Sequence, residues 1–116
     1  MRKPPDPRMT QATQLVLRTF LGEPGQEMYG LEICSMAGLP SGTIHPILAR
    51  LEGLGWVESF WEDEGNARME GRPRRRYYRL TREGAERATA ALRRVAAPVS
   101  GIRELRTRPA GGLART

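Results

Sequence analysis

Residues 39–55, LPSGTIHPILARLEGLG, constrain the fold more than any other stretch, because they have the pattern of one short helix with a defined start, face and end. Apolar side chains recur at the i, i+3, i+4, i+7 spacing of a half-buried helix, and they are Ile44, Ile47, Leu48, Leu51 and Leu54. Ser41 or Thr43 is expected to cap the start, and Gly55 to supply the left-handed residue at the end. The stretch therefore predicts a helix with one buried and one polar face.

The start of this helix is small and polar, with the residues Ser41, Gly42, Thr43 and His45. Free N–H groups and the positive end of the helix dipole suit a phosphate or a base edge there. Pro46 lies close enough to the first turn for its missing N–H to cost little, although a bent turn is expected. An ordinary capped core helix has the same pattern, so this stretch alone leaves both interpretations open.

The charge balance makes a polyanion the first partner to consider. Nineteen Lys and Arg residues oppose 13 Asp and Glu residues, for a formal net charge of +6. No apolar run is long enough to cross a membrane, so nucleic acid is favoured over a membrane. Every basic residue except Lys3 is arginine, which suits bidentate contact with phosphate or guanine, although a GC-rich genome explains the same bias.

Catalysis has little support in the sequence. One His and one Cys, without an HExxH, GxSxG or glycine-rich phosphate motif, predict no catalytic residues, no metal site and no cofactor. Cys34 is the single cysteine, which fits a reducing cytoplasm. The charged, proline-rich residues 1–8 do not resemble a signal peptide and are expected to form a basic, disordered arm.

Two helices are expected before the central one. The first starts at Thr10 and buries a face formed by Ala12, Leu15, Val16, Thr19 and Phe20, widened by Leu17 and Leu21. The second covers residues 28–37, buries Leu31, Cys34 and Ala37, and ends at Gly38. Because the next helix begins after a very short turn, the spacing is that of a helix-turn-helix.

A basic β-hairpin is expected to follow. Residues 56–62 and 74–80 have strand composition and enclose a loop at residues 64–73, so they predict a wing. Arginine dominates it, at Arg72, Arg74, Arg75, Arg76 and Arg79. Acidic residues on the outgoing strand, among them Glu58 and Glu62, are expected to pair with some of these arginines across the hairpin. A helix with a polar start beside a basic wing favours DNA binding.

The last predicted helix, residues 81–97, is capped by Thr81 and has a narrow apolar stripe formed by Ala85, Ala88, Leu92 and Val95. Helices one to three and the wing can close a core among themselves, so this stripe is interpreted as a homodimer interface; folding back onto its own domain is the alternative. The expected division is an arm at 1–8, a winged helix-turn-helix domain at 9–80, a dimerisation helix at 81–97 and a basic tail at 98–116.

Three ordered motifs within residues 13–92 resemble the PadR-like family of winged-helix transcriptional regulators: YGLEI at 29–33, SGTIHPILARLEGLGWVES at 41–59 and GRPRRRYYRLTREG at 71–84. The resemblance implies a homodimeric repressor that binds a dyad-symmetric double-stranded DNA operator through the third helix and the wing. Positions that match the family motifs are Tyr29, Gly30, Ser41, Gly42, Thr43, Pro46, Gly71, Arg72, Arg75 and Tyr77. The residues expected to bind DNA are Tyr29, Ser41, Gly42, Thr43, His45, Pro46, Arg50, Arg72, Arg74, Arg75, Arg76 and Tyr77.

Two departures limit the resemblance. His45 stands where the family usually has Tyr. The alanine-rich last helix lacks the aromatic residues that face a ligand cavity in some members, so a small-molecule effector is left unknown. The expected fold is mainly α with a small β wing, and the expected function is sequence-specific transcriptional regulation. A protein-interaction adaptor and a nonspecific nucleic-acid-binding protein are the alternatives.

Overall fold

The computed structural model describes residues 5–23 and 25–96. In chain order its elements are α1 (Gln11–Gly22), β1 (Met28–Tyr29), α2 (Gly30–Ala37), α3 (Ser41–Gly53), β2 (Val57–Trp61), α4 (Glu64–Met69), β3 (Arg76–Leu80) and α5 (Arg82–Ala96). The mainly helical fold with a small antiparallel sheet confirms the predicted winged helix. The predicted basic tail, residues 98–116, lies outside the described residues.

Helices α1, α2 and α3 pack around one core. Thr10 caps α1 through its Oγ1, which accepts a hydrogen bond from the Thr13 N–H at 3.1 Å. The face of α1 that is buried consists of Thr13, Val16, Leu17 and Phe20. It is rotated from the predicted face, since Ala12, Leu15 and Thr19 are only half-buried. The helix was therefore predicted at the right place with an inexact face.

The second helix is shorter than expected, because Met28 and Tyr29 form strand β1 and α2 begins at Gly30. Ile33 and Ala37 are its buried residues, whereas Leu31 is 72% exposed and Cys34 is half-buried. The expected burial of Leu31 is wrong, because the helix turns its Ile33 face to the core. Gly38 ends the helix at a φ of 71°, as predicted.

Helix α3 buries Ile44, Leu48 and Leu51, three of the predicted residues. Its N-cap is Pro40 without a side-chain hydrogen bond, so the predicted cap by Ser41 or Thr43 is wrong. Pro46 lies inside the helix, where its missing N–H deprives the carbonyl four residues earlier of its helical donor. Gly55 has a φ of 79° just after the helix, which confirms the predicted left-handed end.

The sheet has three antiparallel strands in the order β1-β3-β2. Strands β2 and β3 are the predicted hairpin, with Val57 opposite Leu80 and Trp61 opposite Arg76. The two-residue strand β1 adds to the other edge of β3 and joins the start of α2 to the wing. The loop predicted between the hairpin strands instead contains helix α4, which Asp63 caps by accepting from the Asn66 N–H at 3.0 Å.

The last helix packs against its own domain through α1 and β3. Thr81 caps it as predicted, since its Oγ1 accepts from the Gly84 N–H at 2.9 Å. Ala88 is 0% exposed and lies in the monomer core, so the premise that the Ala85, Ala88, Leu92 and Val95 stripe has no partner within the chain is wrong. Val95 at the distal end is 44% exposed.

The N-terminal segment is packed where the structure describes it. Pro7 is buried, and Asp6 forms ion pairs with Arg87, at 2.8 Å, and with Arg94 on α5. Pro7 and Arg8 also line a shallow groove against Arg50 of α3. Residues 5–8 therefore lie against α3 and α5, where one carboxylate meets two guanidiniums and a proline is covered, and the division of the chain into an arm, a domain, a dimerisation helix and a tail stays a prediction.

Candidate nucleic-acid interface

The exposed start of α3 lies beside the wing. Ser41, Gly42, His45 and Pro46 are exposed, and Thr43 is half-buried. Because the buried face of α3 holds the helix to α1 and α2, its first turn is left pointing away from the core. This turn offers hydroxyl groups, an imidazole and the free N–H groups of a helix start.

A groove of about 390 Å³ separates the starts of α2 and α3 from the wing. The predicted DNA-binding residues that line it are Tyr29, Ser41, His45, Arg72, Arg75 and Arg76. Residues distant in sequence thus meet on one surface, which combines the helix start with guanidinium groups. Pro46 and Arg50 lie elsewhere, in the groove shared with Pro7 and Arg8. The other predicted residues, which line neither groove, are Gly42, Thr43, Arg74 and Tyr77.

Aromatic rings support the arginines of the wing. The Tyr29 and Tyr77 rings meet edge to face with centroids 5.7 Å apart, and Tyr77 stacks on Phe60 at 5.9 Å. The Arg75 guanidinium lies over the Tyr29 ring, 3.9 Å from its centroid. Such cation–π contacts orient a guanidinium without using up its N–H donors. Tyr29 and Tyr77 are thus placed to support Arg75, in addition to the DNA contacts predicted for them.

Glu62 is the centre of a hydrogen-bond network inside the wing. It is only 6% exposed. Arg72 donates to both carboxylate oxygens, at 2.6 and 2.8 Å, the Asn66 side chain donates at 2.6 Å, and the Arg75 N–H donates at 3.1 Å. The backbone carbonyl of Glu62 accepts from Arg74 Nε at 2.8 Å. Glu62 therefore holds three of the wing arginines, which are Arg72, Arg74 and Arg75.

The same contacts lower the pKa of Glu62 from 4.5 to about 2. The hydrogen bond from Arg72 is the largest cause; burial opposes it, and the donors on Arg75 and Asn66 add to it. Glu62 in turn raises the pKa of Arg72. The pair is fully ionised over the physiological range, as the bidentate geometry requires.

This lowered pKa predicts a specific loss of stability in acid. A carboxyl group with a lower pKa in the folded state stabilises it above the unfolded pKa, and this stabilisation is lost as the pH falls from 4.5 towards 2. Chemical denaturation of the wild type and of Glu62→Gln is expected to give a stability difference that narrows over this pH range. Glu64→Gln, at an exposed position, is the control. A pH-independent difference would contradict the assignment.

Other wing arginines also have partners in the free protein. Arg79 pairs with Glu58 at 2.6 Å and with Glu27 at 3.1 Å, and Arg76 donates to the Ser59 hydroxyl at 2.8 Å. The predicted pairing across the hairpin is therefore confirmed for Glu58 and Glu62. These carboxylates offset part of the positive charge that the arginine count suggests.

Sequence reasoning did not find the central position of Glu62. Glu62 is one of four acidic residues on or just after the outgoing strand, with Glu58, Asp63 and Glu64, and nothing in their spacing separates a buried carboxylate from an exposed one. The one available signal was a carboxylate at the end of an aromatic strand, followed ten residues later by an arginine.

The fold and the surface define a winged helix-turn-helix protein, and comparison with known proteins places it in a family. Residues 19–90 match the family described as transcriptional regulator PadR-like. Because this match covers more than half of the 116 residues, the chain belongs to the PadR-like family of transcriptional regulators. A comparison with curated proteins gave no match. Across the described ranges, no helix is both long and apolar enough to span a membrane.

Solved structures share this fold. A PadR family transcription regulator from Clostridium difficile R20291 is 23% identical with a TM-score of 0.61, and the match covers 83% of this chain and 94% of that one. A regulator of the same family from Eggerthella lenta DSM 2243 is 24% identical, with a TM-score of 0.60 and coverages of 84% and 82%. Reduced AbfR bound to DNA is 24% identical with a TM-score of 0.60, and the match covers 84% of this chain and 64% of AbfR.

Proposed function

We propose that this protein is a sequence-specific DNA-binding repressor that acts as a homodimer on a dyad-symmetric operator. The observation that carries the proposal is the groove in which the exposed start of α3 faces the arginines of the wing. A duplex can receive the helix in its major groove while the wing follows the backbone. The DNA-bound structure of AbfR, a neighbour of the same fold, supports this assignment. No catalytic activity is proposed, and the cytoplasm is the proposed location.

Competition binding tests the proposal against the two alternatives. Labelled genomic fragments are bound at a fixed, stated salt concentration and challenged with unlabelled random duplex. A specific regulator retains its operator in excess random DNA, since specific binding exceeds nonspecific binding by roughly a thousandfold or more. Equal displacement from every fragment indicates nonspecific binding, and no binding at low salt favours the protein-interaction adaptor.

The start of α3 is expected to determine sequence preference. Thr43→Ala and His45→Ala should each reduce discrimination between the operator and single-base variants, since a base-edge contact contributes about 1 to 3 kcal/mol. Arg50→Ala is the control for His45→Ala, because Arg50 is exposed on the same helix but, unlike His45, does not line the groove. Thr43 is half-buried and does not line the groove either, so Thr43→Ala tests whether the base contacts extend along α3 beyond it. Affinities for a panel of operator variants measure the effect. If both variants bind every duplex of the panel more weakly by the same factor, Thr43 and His45 contact the DNA backbone and not the bases.

The proposed dimer uses the accessible distal end of α5. Ala88 faces the monomer core, and Leu92 is half-buried against it, so Val95 is the most exposed residue of the stripe. In a two-fold dimer this end meets its own copy and sets the two α3 helices about one DNA turn, ~34 to 36 Å, apart.

Val95→Glu is expected to convert a dimer into a folded monomer. The change places two like charges at a symmetric apolar contact without altering the monomer core, because Val95 is 44% exposed. Ala90→Glu is the control, as Ala90 is exposed on the same helix outside the stripe. Sedimentation measures the mass. If the Val95→Glu variant remains a dimer, as the Ala90→Glu variant is expected to, the interface does not include the distal end of α5.

A further inference from the structure

We propose that Glu62 is a positioning residue for DNA binding and that Arg72 acts as its partner, not as a phosphate contact. Together they hold the segment with Arg74, Arg75 and Arg76 opposite the start of α3. The inference refines the proposed function, on which it rests, and it changes the role predicted for Arg72 from the family motif.

The geometry of Arg72 supports this reassignment. Both of its terminal nitrogens donate to Glu62, and its side chain is 23% exposed. Nη1 also approaches the carbonyl of Pro73, at 3.4 Å. A phosphate would have to compete with a bidentate carboxylate that is itself almost buried, and separating that pair would leave Glu62 charged and poorly solvated. Arg72 therefore keeps its hydrogen bonds to Glu62 when DNA binds and does not exchange them for a phosphate.

The contacts of Glu62 reach the segment that faces DNA. Its carboxylate accepts from the Arg75 N–H, and its backbone carbonyl accepts from the Arg74 side chain. The N–H of Glu62 also donates to the Arg75 carbonyl at 2.8 Å. Asn66, on α4, donates to the same carboxylate, which links the wing tip to the network. Loss of the carboxylate removes restraints on the backbone of Arg75 and on the whole Arg72 side chain.

The direction in which Glu62→Gln changes DNA affinity distinguishes a positioning role from a purely electrostatic effect of the charge. Removing a negative charge from a DNA-binding surface ordinarily strengthens binding, because less repulsion opposes the phosphates. If Glu62 positions the wing, Glu62→Gln instead weakens binding. Glu64→Gln removes the same charge from an exposed position two residues away in sequence and is expected to leave binding unchanged or slightly tighter.

The experiment measures DNA affinity against salt for the wild type, Glu62→Gln, Arg72→Gln, the double variant and Glu64→Gln. Each single change in the pair is expected to weaken binding about tenfold, with the double variant no weaker than either single one. The slope of log K against log[salt] is expected to stay the same, whereas loss of one phosphate contact would reduce it by about 0.9. A reduced slope for Arg72→Gln with tighter binding of Glu62→Gln would overturn the proposal.

Hydrogen exchange of the Arg75 amide provides a readout that needs no DNA. The variant used here is Glu62→Ala, because Gln would keep a side-chain oxygen that can accept from this N–H. The exchange rate is expected to rise about tenfold or more in Glu62→Ala and to stay unchanged in Glu64→Ala, because among the described residues the Arg75 N–H donates to Glu62. An unchanged rate in Glu62→Ala would refute the positioning role even if the protein binds DNA as proposed. Failure of the wild type to prefer any sequence, with fast exchange in Glu62→Ala, would instead refute the proposed function alone.

Discussion

Simultaneous replacement of Arg74, Arg75 and Arg76 by Ala is expected to weaken operator binding roughly a hundredfold at about 0.15 M salt. If each arginine neutralises one phosphate, the slope of log K against log[salt] should also become less steep by about 2.7. Alanine retains the backbone N–H that donates to Glu62, so the wing keeps part of its internal support. Titrations at several salt concentrations measure both effects.

The matched control removes the same charge elsewhere. Arg18, Arg82 and Arg93 are exposed on α1 and α5, outside the groove, so their joint replacement by Ala is expected to change the slope little. Equal effects of the two triple variants would show that net charge matters and the position of the wing does not. If the slope of log K against log[salt] is unchanged in the wing variant, the three wing arginines do not contact phosphates.

Gly84→Ala is expected to destabilise the fold severely, because α5 passes close to the backbone of Trp56 at this residue. A Cβ at this position would lie 1.9 Å from the Trp56 carbonyl oxygen and 2.6 Å from its carbon. That carbonyl cannot easily move aside, because it accepts a hydrogen bond from the Thr81 N–H at 2.9 Å. The clash should cost about 3 kcal/mol or more, which lowers the melting temperature by roughly 10 to 20 °C in a domain of this size.

Gly53→Ala is the matched control for this clash. Gly53 also lies in a helix, and a Cβ there has no neighbour within 4 Å among the described residues. Alanine favours helix over glycine by up to about 1 kcal/mol, so this variant is expected to melt at or slightly above the wild-type temperature. Equal melting temperatures for the two variants would contradict the close approach of α5 to Trp56.

The parts of the fold with strong local signals were predictable. Ile44, Leu48 and Leu51 recur at helical spacing and are all buried, and Gly38 and Gly55 end helices in the left-handed conformation. The order of helices, turn and wing followed from these signals, and the family motifs agreed with it. The type and order of these elements could therefore be predicted from residues close together in the sequence.

Features that depend on distant partners were not predictable in the same way. Strand β1 has two residues and exists because Met28 and Tyr29 pair with β3, about fifty residues away. The spacing of Ala85, Ala88, Leu92 and Val95 gave an inexact face, since the buried residues of α5 are Gly84, Ala88 and Ala91, and it carried no information on what covers that face. Helix α4 lies in a stretch whose Gly and Asn content indicated a loop. It is capped by Asp63, and Asn66 within it donates to the Glu62 carboxylate.

The candidate site was predicted more completely in its residues than in their roles. Six of the twelve expected residues line one groove, whereas Pro46 and Arg50 line another and the remaining four line neither. Arginine count alone suggested a freely positive wing, but Glu62, Glu58 and Glu27 pair with two of its arginines. Arg76 also lies 3.6 Å from a carboxylate oxygen of Glu52. These pairings arise from the tertiary fold, and they limit how freely each guanidinium can meet an anion.

Selection of bound sequences from a random duplex pool tests the central claim, sequence-specific binding by a dimer, most directly. The proposal predicts enrichment of one motif with two inverted half-sites whose centres lie about one helical turn apart. His45→Ala should shift the enriched bases within each half-site while keeping the spacing. Recovery of sequences indistinguishable from the starting pool, at a salt concentration where the protein still binds duplex DNA, would contradict it.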